Sequence, residues 1–138
     1  MAAEKLFEQR VKRWLESEGV YAAGTPRQKI TVKECGWYVK TWGGGLQKSG
    51  LPDLIINVNG FFFGVELKSD TGKPSELQEK NVVAINRSQG VGIILYPKGF
   101  EQFKRIVEGV KQCKYHIPVL NALKAANSSI TCDILTSY

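Results

Sequence analysis

The run Pro52-Asp53-Leu54-Ile55-Ile56-Asn57-Val58-Asn59-Gly60-Phe61-Phe62-Phe63-Gly64-Val65-Glu66-Leu67-Lys68 decides how this chain folds. Two apolar stretches, 54–58 and 61–68, flank Asn59-Gly60. Asn-Gly between apolar runs is a strong hairpin signal, because a type I′ turn needs positive φ at both central residues. With these two residues at the turn, Val58 faces Phe61. Counting back along both strands brings Asp53 opposite Glu66, with Cβ atoms roughly 5 Å apart. Glu66 and Lys68 lie two apart, so they share a sheet face, while Leu67 points away. One face therefore gathers Asp53, Glu66 and Lys68.

That face is electrostatically awkward. Two carboxylates so close repel by about 3 kcal/mol at an effective dielectric of about 20. A good cross-strand pair contributes only about 0.2–1 kcal/mol. Either a cation sits between the acids or one of them is protonated. Lys68 offsets part of the repulsion but cannot replace a shared divalent ion. All-oxygen ligands suit magnesium or manganese. The alternative is a solvated sheet face with incidental charges.

Upstream, Phe7, Val11, Trp14 and Leu15 mark an amphipathic helix over 5–18, with Gly19 as its stop. A loop spans 22–29, and 37–42 reads as a strand broken by Gly43-Gly44-Gly45. Trp42 beside these glycines is expected as a core residue at a tight turn, with contact to DNA as the other use. Gly50 is expected to permit the bend that aims Asp53. Downstream, 69–73 is a polar turn, 75–88 a helix, and 91–96 a short strand closed by Pro97. Phe100, Phe103, Val107 and Val110 mark a last amphipathic helix that ends near Cys113. The order is α-β-β-β-α-β-α. A hairpin followed by a β-α-β crossover predicts an α/β domain with a mixed central sheet flanked by helices. The domain is expected over 1–114. Residues 115–138 are expected to form an extension packed on or near it, with a short helix around 119–126.

The chain has 138 residues, 43% hydrophobic and 23% charged, which suits one globular domain rather than disorder. Nineteen basic residues against 13 acidic ones give a net charge of +6. Nucleic acid is the first partner this suggests, and an anionic membrane surface the second. Cys35, Cys113 and Cys132 are odd in number and widely spaced, which argues against a disulfide framework or structural zinc and for a cytosol. His116 is the only histidine and is expected on a surface loop. The charged N-terminus does not read as a signal peptide, and no apolar stretch approaches a membrane span.

Taken together, Pro52-Asp53, Glu66-Leu67-Lys68 and Gln78 resemble the PD-(D/E)XK nucleases, and most closely the small VRR-NUC and Holliday-junction-resolvase-like nucleases of phages and prophages. The resemblance extends to Glu8-x-x-Val11-x-x-x-Leu15, Lys40-x-Trp42-Gly43-Gly44-Gly45, Lys48-x-Gly50-Leu51-Pro52-Asp53 and Gly72-Lys73-Pro74-Ser75-x-x-Gln78. It covers about residues 4–107 and keeps the order of elements. It implies a restriction-endonuclease-like αβββαβ core. It also implies a magnesium- or manganese-dependent endonuclease that hydrolyses DNA phosphodiester bonds.

The resemblance assigns Asp53, Glu66 and the Leu67 carbonyl to the metal. Lys68 would orient water or stabilise charge on the phosphate. A first-helix glutamate would complete the site; Glu8 matches best, with Glu4 as the other candidate. Ser75-x-x-Gln78 is also a capping box, so Gln78 has two competing uses, catalytic and structural. Lys40, Lys48 and Lys73 would contact phosphates or simply aid solubility. The expected substrate is double-stranded or branched DNA, with the four-way junction first. The working form is expected to be a homodimer, because cutting two opposed strands needs two sites. The expected location is the cytoplasm, that of a bacterial host if the gene is phage-borne. Two alternatives stay open. One is a nuclease for nicked, flapped or linear duplex; the other is a non-catalytic DNA-binding module on the same fold.

Overall fold

A computed structural model of the chain describes residues 2–42 and 50–113. The expectations for Lys48, His116, Cys132 and the extension 115–138 lie outside these residues. The element order is α1 (Ala2–Ser17), β1 (Val20–Ala22), β2 (Gly36–Lys40), β3 (Leu54–Val58), β4 (Phe61–Leu67), α2 (Glu76–Arg87), β5 (Val91–Leu95) and α3 (Phe100–Lys111). The strands form one mixed sheet in the order β1-β2-β3-β4-β5. Its centre, β2-β3-β4, is antiparallel; β1 and β5 add in parallel at the edges. The protein is therefore a mixed α/β fold with a five-stranded sheet flanked by helices.

The hairpin adopts the expected register, with Val58 opposite Phe61 and Leu54 opposite Val65. Asn59 (φ 51°) and Gly60 (φ 88°) take the two positive-φ positions of the turn. The Asn59 side chain also donates to the Val110 carbonyl at 3.0 Å, tying the turn to the end of α3.

Alternation along β3 and β4 sends Leu54, Ile56, Val58, Phe63, Val65 and Leu67 to one face. There they meet Phe7, Val11 and Leu15 of α1 and Phe100, Phe103 and Val107 of α3, all buried. Phe7 packs edge-on against Phe100 at 5.7 Å, and Phe63 against Phe103 at 6.4 Å. Each such side chain, fully buried, contributes about 1.5–3 kcal/mol. This layer is the core.

The opposite face carries α2, and its closeness depends on glycine. A Cβ on Gly92 would lie 2.5 Å from the Val82 carbonyl oxygen, a backbone atom with nowhere to go. Gly92→Ala is therefore expected to push α2 off the sheet and destabilise the fold by about 1–3 kcal/mol. An unchanged urea midpoint would refute this packing argument. Asn86 completes the edge: its side chain accepts from Gly92 N–H at 2.7 Å and donates to the Gly92 carbonyl at 3.1 Å. The polar groups of Gly92 on edge strand β5 are thus occupied by a side chain instead of another strand.

Two expectations need correction. The sequence reading left out β1, whose three residues are too few to show a period. Trp42, expected in the core, is 72% exposed. Strand β2 ends at Lys40, so Trp42 lies beyond the sheet and no layer among the described residues covers it.

Candidate functional site

The acidic pair sits at one end of the β3-β4 hairpin. Asp53 immediately precedes β3 and is held by backbone: its carbonyl accepts from Thr41 N–H at 2.9 Å. The Thr41 hydroxyl fixes the preceding peptide by donating to the Pro52 carbonyl at 2.7 Å. Gly50, at φ +79°, makes the approach possible: its backbone abuts Leu77 of α2, where a Cβ would come within 2.5 Å of the side chain. Its carbonyl accepts from Asn81 of α2 at 2.7 Å. The bend before Asp53 is thus clamped by both β2 and α2.

Asp53 Oδ2 accepts from the Leu67 backbone N–H at 2.9 Å. A strand residue presents its N–H and C=O to the same neighbour. The Leu67 carbonyl is therefore on the Asp53 edge, as a third oxygen donor would need to be.

Glu66 lies one residue back and is 2% exposed, the one charged side chain buried among the described residues. Its Oε1 accepts from Gln78 Nε2 at 2.7 Å and pairs with Lys68 Nζ at 3.4 Å. Its Oε2 is buried with no hydrogen-bond partner. Burial and the Asp53 carboxylate push the Glu66 pKa up to about 7, against the pull of Lys68. This is the repulsion that counting back from the turn anticipates. Lys68 is itself largely buried, with its side chain 12% exposed.

Gln78 is a helix cap and also touches the acidic pair. Ser75 caps α2 in a full capping box: Ser75 Oγ accepts from Gln78 N–H at 3.2 Å, and Ser75 N–H donates to Gln78 Oε1 at 2.8 Å. The other end of the same amide reaches Glu66.

Glu8 does not join this cluster. One of its oxygens accepts from Lys12 at 2.9 Å and the other from Lys40. Burial pushes the Glu8 pKa up, but Lys40 and Lys12 more than offset it and hold the carboxyl below its usual range. Among the described residues, no three His, Cys, Asp or Glu side chains come together as a metal-holding group. Lys40 is thus committed to Glu8, and the pair joins α1 to β2. Glu4 lines a surface depression with Lys5, Glu8 and Lys40 and is likewise outside the acidic pair. Lys73 is exposed on the turn before α2. Thr41, Asn81 and Ser75 support the site without having been singled out for it. Ser75 was legible as a cap; Thr41 and Asn81 carry no local signal.

The arrangement offers two carboxylates and a backbone carbonyl, all hard oxygen donors, beside one ammonium. That donor set suits a hard divalent cation. The orphaned Glu66 oxygen is the position a cation would satisfy. Among the described residues, no helix is long and apolar enough to cross a membrane. No protein-family model matches the chain, and searches of curated proteins and of solved structures find no match either.

Proposed function

We propose that this protein is a metal-dependent nuclease of the PD-(D/E)XK kind, cutting DNA phosphodiester bonds by attack of water. The observation that carries this reading is Glu66 Oε2, a buried carboxylate oxygen without a partner beside a second carboxylate. Leaving such a group ionised and unsatisfied costs several kcal/mol; a proton relieves it below about pH 7, and a bound cation relieves it above. The run α1, β2, β3, β4, α2, β5, with the short β1 added at the sheet edge, supports a restriction-endonuclease-like core, and the net charge of +6 supports a polyanionic partner.

In this reading Asp53, Glu66 and the Leu67 carbonyl hold magnesium or manganese. Such an ion supplies positive charge against the phosphate and makes a water more acidic. The chain's own residues do the rest. Asp53, fixed through Thr41 and Leu67, presents one carboxylate at the hairpin end. Lys68 stands by Glu66 with its ammonium mostly desolvated, where it stabilises negative charge that grows on the phosphoryl oxygens. Gln78 holds Glu66 in place. Glu8 acts through Lys40 and Lys12 and carries no ligand role.

The substrate is double-stranded or branched DNA, and a four-way junction fits a homodimer that brings two such sites to opposed strands. The test is the purified chain with magnesium on matched linear, nicked, flapped and four-way DNA. Cleavage that stops with chelator is expected, strongest on the four-way substrate. Preference for nicks, flaps or ends would replace the junction reading with the other nuclease. Binding of DNA with no cleavage of any substrate would leave only a binding module.

A further inference from the structure

Why only one oxygen of Glu66 is engaged is answered on helix α2. We propose that the Ser75 backbone N–H and the Gln78 side chain form a positioning relay. The relay commits Glu66 Oε1 and leaves Oε2 as the ligand oxygen beside Asp53. The inference rests on the metal-dependent reading above and assigns Ser75 a part in it.

The chemistry of the amide decides its orientation. Gln78 has one acceptor end and one donor end. Ser75 N–H, 2.8 Å away, needs the acceptor; the Glu66 carboxylate, 2.7 Å away, needs the donor. Turning the amide over would set donor against donor and oxygen against oxygen. Ser75 N–H therefore selects the orientation, and Glu66 can receive only an N–H from Gln78. Lys68 reinforces the same oxygen at 3.4 Å. Glu66 is 2% exposed, so solvent has little access to rearrange it.

The backbone at Ser75 permits a clean separation of its two contributions. Its φ is −72°, close to the roughly −65° that a proline ring imposes. Ser75→Pro keeps that conformation and removes the N–H together with the hydroxyl. Ser75→Ala removes the hydroxyl alone. Both variants lose the side-chain cap, and only proline breaks the relay.

The experiment is calorimetric titration of manganese into the full chain, unaltered and as Ser75→Ala, Ser75→Pro, Gln78→Met and the Pro/Met double variant, with circular dichroism to confirm folding. Ser75→Ala, which keeps the N–H, is expected to bind manganese more tightly than Ser75→Pro. Ser75→Pro and Gln78→Met each weaken binding by about 10–100-fold, the range for outer partners of a metal ligand. The double variant is no weaker than Gln78→Met, because both changes remove one interaction. Equal affinities for Ser75→Ala and Ser75→Pro, or additive losses in the double variant, would overturn the relay. Gln78→Met decides the matter if Ser75→Pro does not fold, since unchanged affinity there also overturns it. An unaltered chain that takes up no manganese would instead refute the metal-dependent reading, and the relay with it.

Discussion

Asp53→Asn and Glu66→Gln are each expected to lower magnesium-dependent DNA cleavage by on the order of 10³-fold or more, while DNA affinity holds or rises. The size follows from the role. A cation at a reacting phosphate contributes several kcal/mol of transition-state stabilisation, and about 4 kcal/mol corresponds to roughly 10³-fold in rate. The direction of the binding effect has a separate cause. Each substitution removes a negative charge from a site that faces a polyanion, so the ground-state complex gains what the chemistry loses. Calcium should let DNA bind without efficient turnover, because its coordination is looser and higher than that of magnesium. Near-normal cleavage by either variant would remove the acidic pair from the mechanism. Equal loss of DNA affinity and cleavage would point to a binding surface rather than a reaction centre.

The placement of that pair was largely legible in the sequence, because it is local. Asn59-Gly60 forces one turn geometry, the turn sets the register, and the register places Asp53 next to Glu66. The apolar stripes of α1 and α3 were equally readable, since Phe7, Val11, Leu15, Phe103 and Val107 repeat at helical spacing and are buried. Ser75 and Gln78 announce a cap three residues apart, and both halves of the box form.

What stayed hidden depends on distance along the chain. Glu8 matched a glutamate expected at the site, but its partner Lys40 lies 32 residues away on β2. No spacing rule connects a helix to a strand two elements later. Trp42 invited a core assignment by its size, yet burial depends on which layers cover a position, and β2 ends before reaching it. The cap at Gln78 hides its contact with Glu66, because the pattern shows one end of a side-chain amide that has two. Strand β1 exists because β2 offers it an edge, through Val20 opposite Gly36 to Ala22 opposite Tyr38. Three residues alone give no such indication.

The second large effect is on stability, and it appears in the metal-free protein. The Glu66 carboxyl, ordinarily near 4.5, is raised to about 7 by burial first and by Asp53 second. A raised acid pKa means that the folded state prefers the protonated form. Its contribution is intact below about pH 4.5 and is lost as pH rises through 7, the reverse of an ordinary salt-bridged carboxylate. At 1.36 kcal/mol per pKa unit, the loss between these limits is at most about 3 kcal/mol. With chelator present, the melting temperature should therefore fall between pH 5.5 and pH 8. Glu66→Gln should abolish most of that fall, since an amide at the same place neither ionises nor repels Asp53. Taking the difference between the two proteins cancels the carboxylates and amines that titrate elsewhere. Magnesium adds the complementary arm: it should raise the melting temperature of the unaltered chain more at pH 8 than at pH 5.5, because at the higher pH it meets an ionised Glu66. It should raise that of Glu66→Gln little at either pH. A pH slope that survives in Glu66→Gln would show that the buried carboxyl is not its source. An equal magnesium effect at both pH values would show that the ion binds somewhere other than between Asp53 and Glu66.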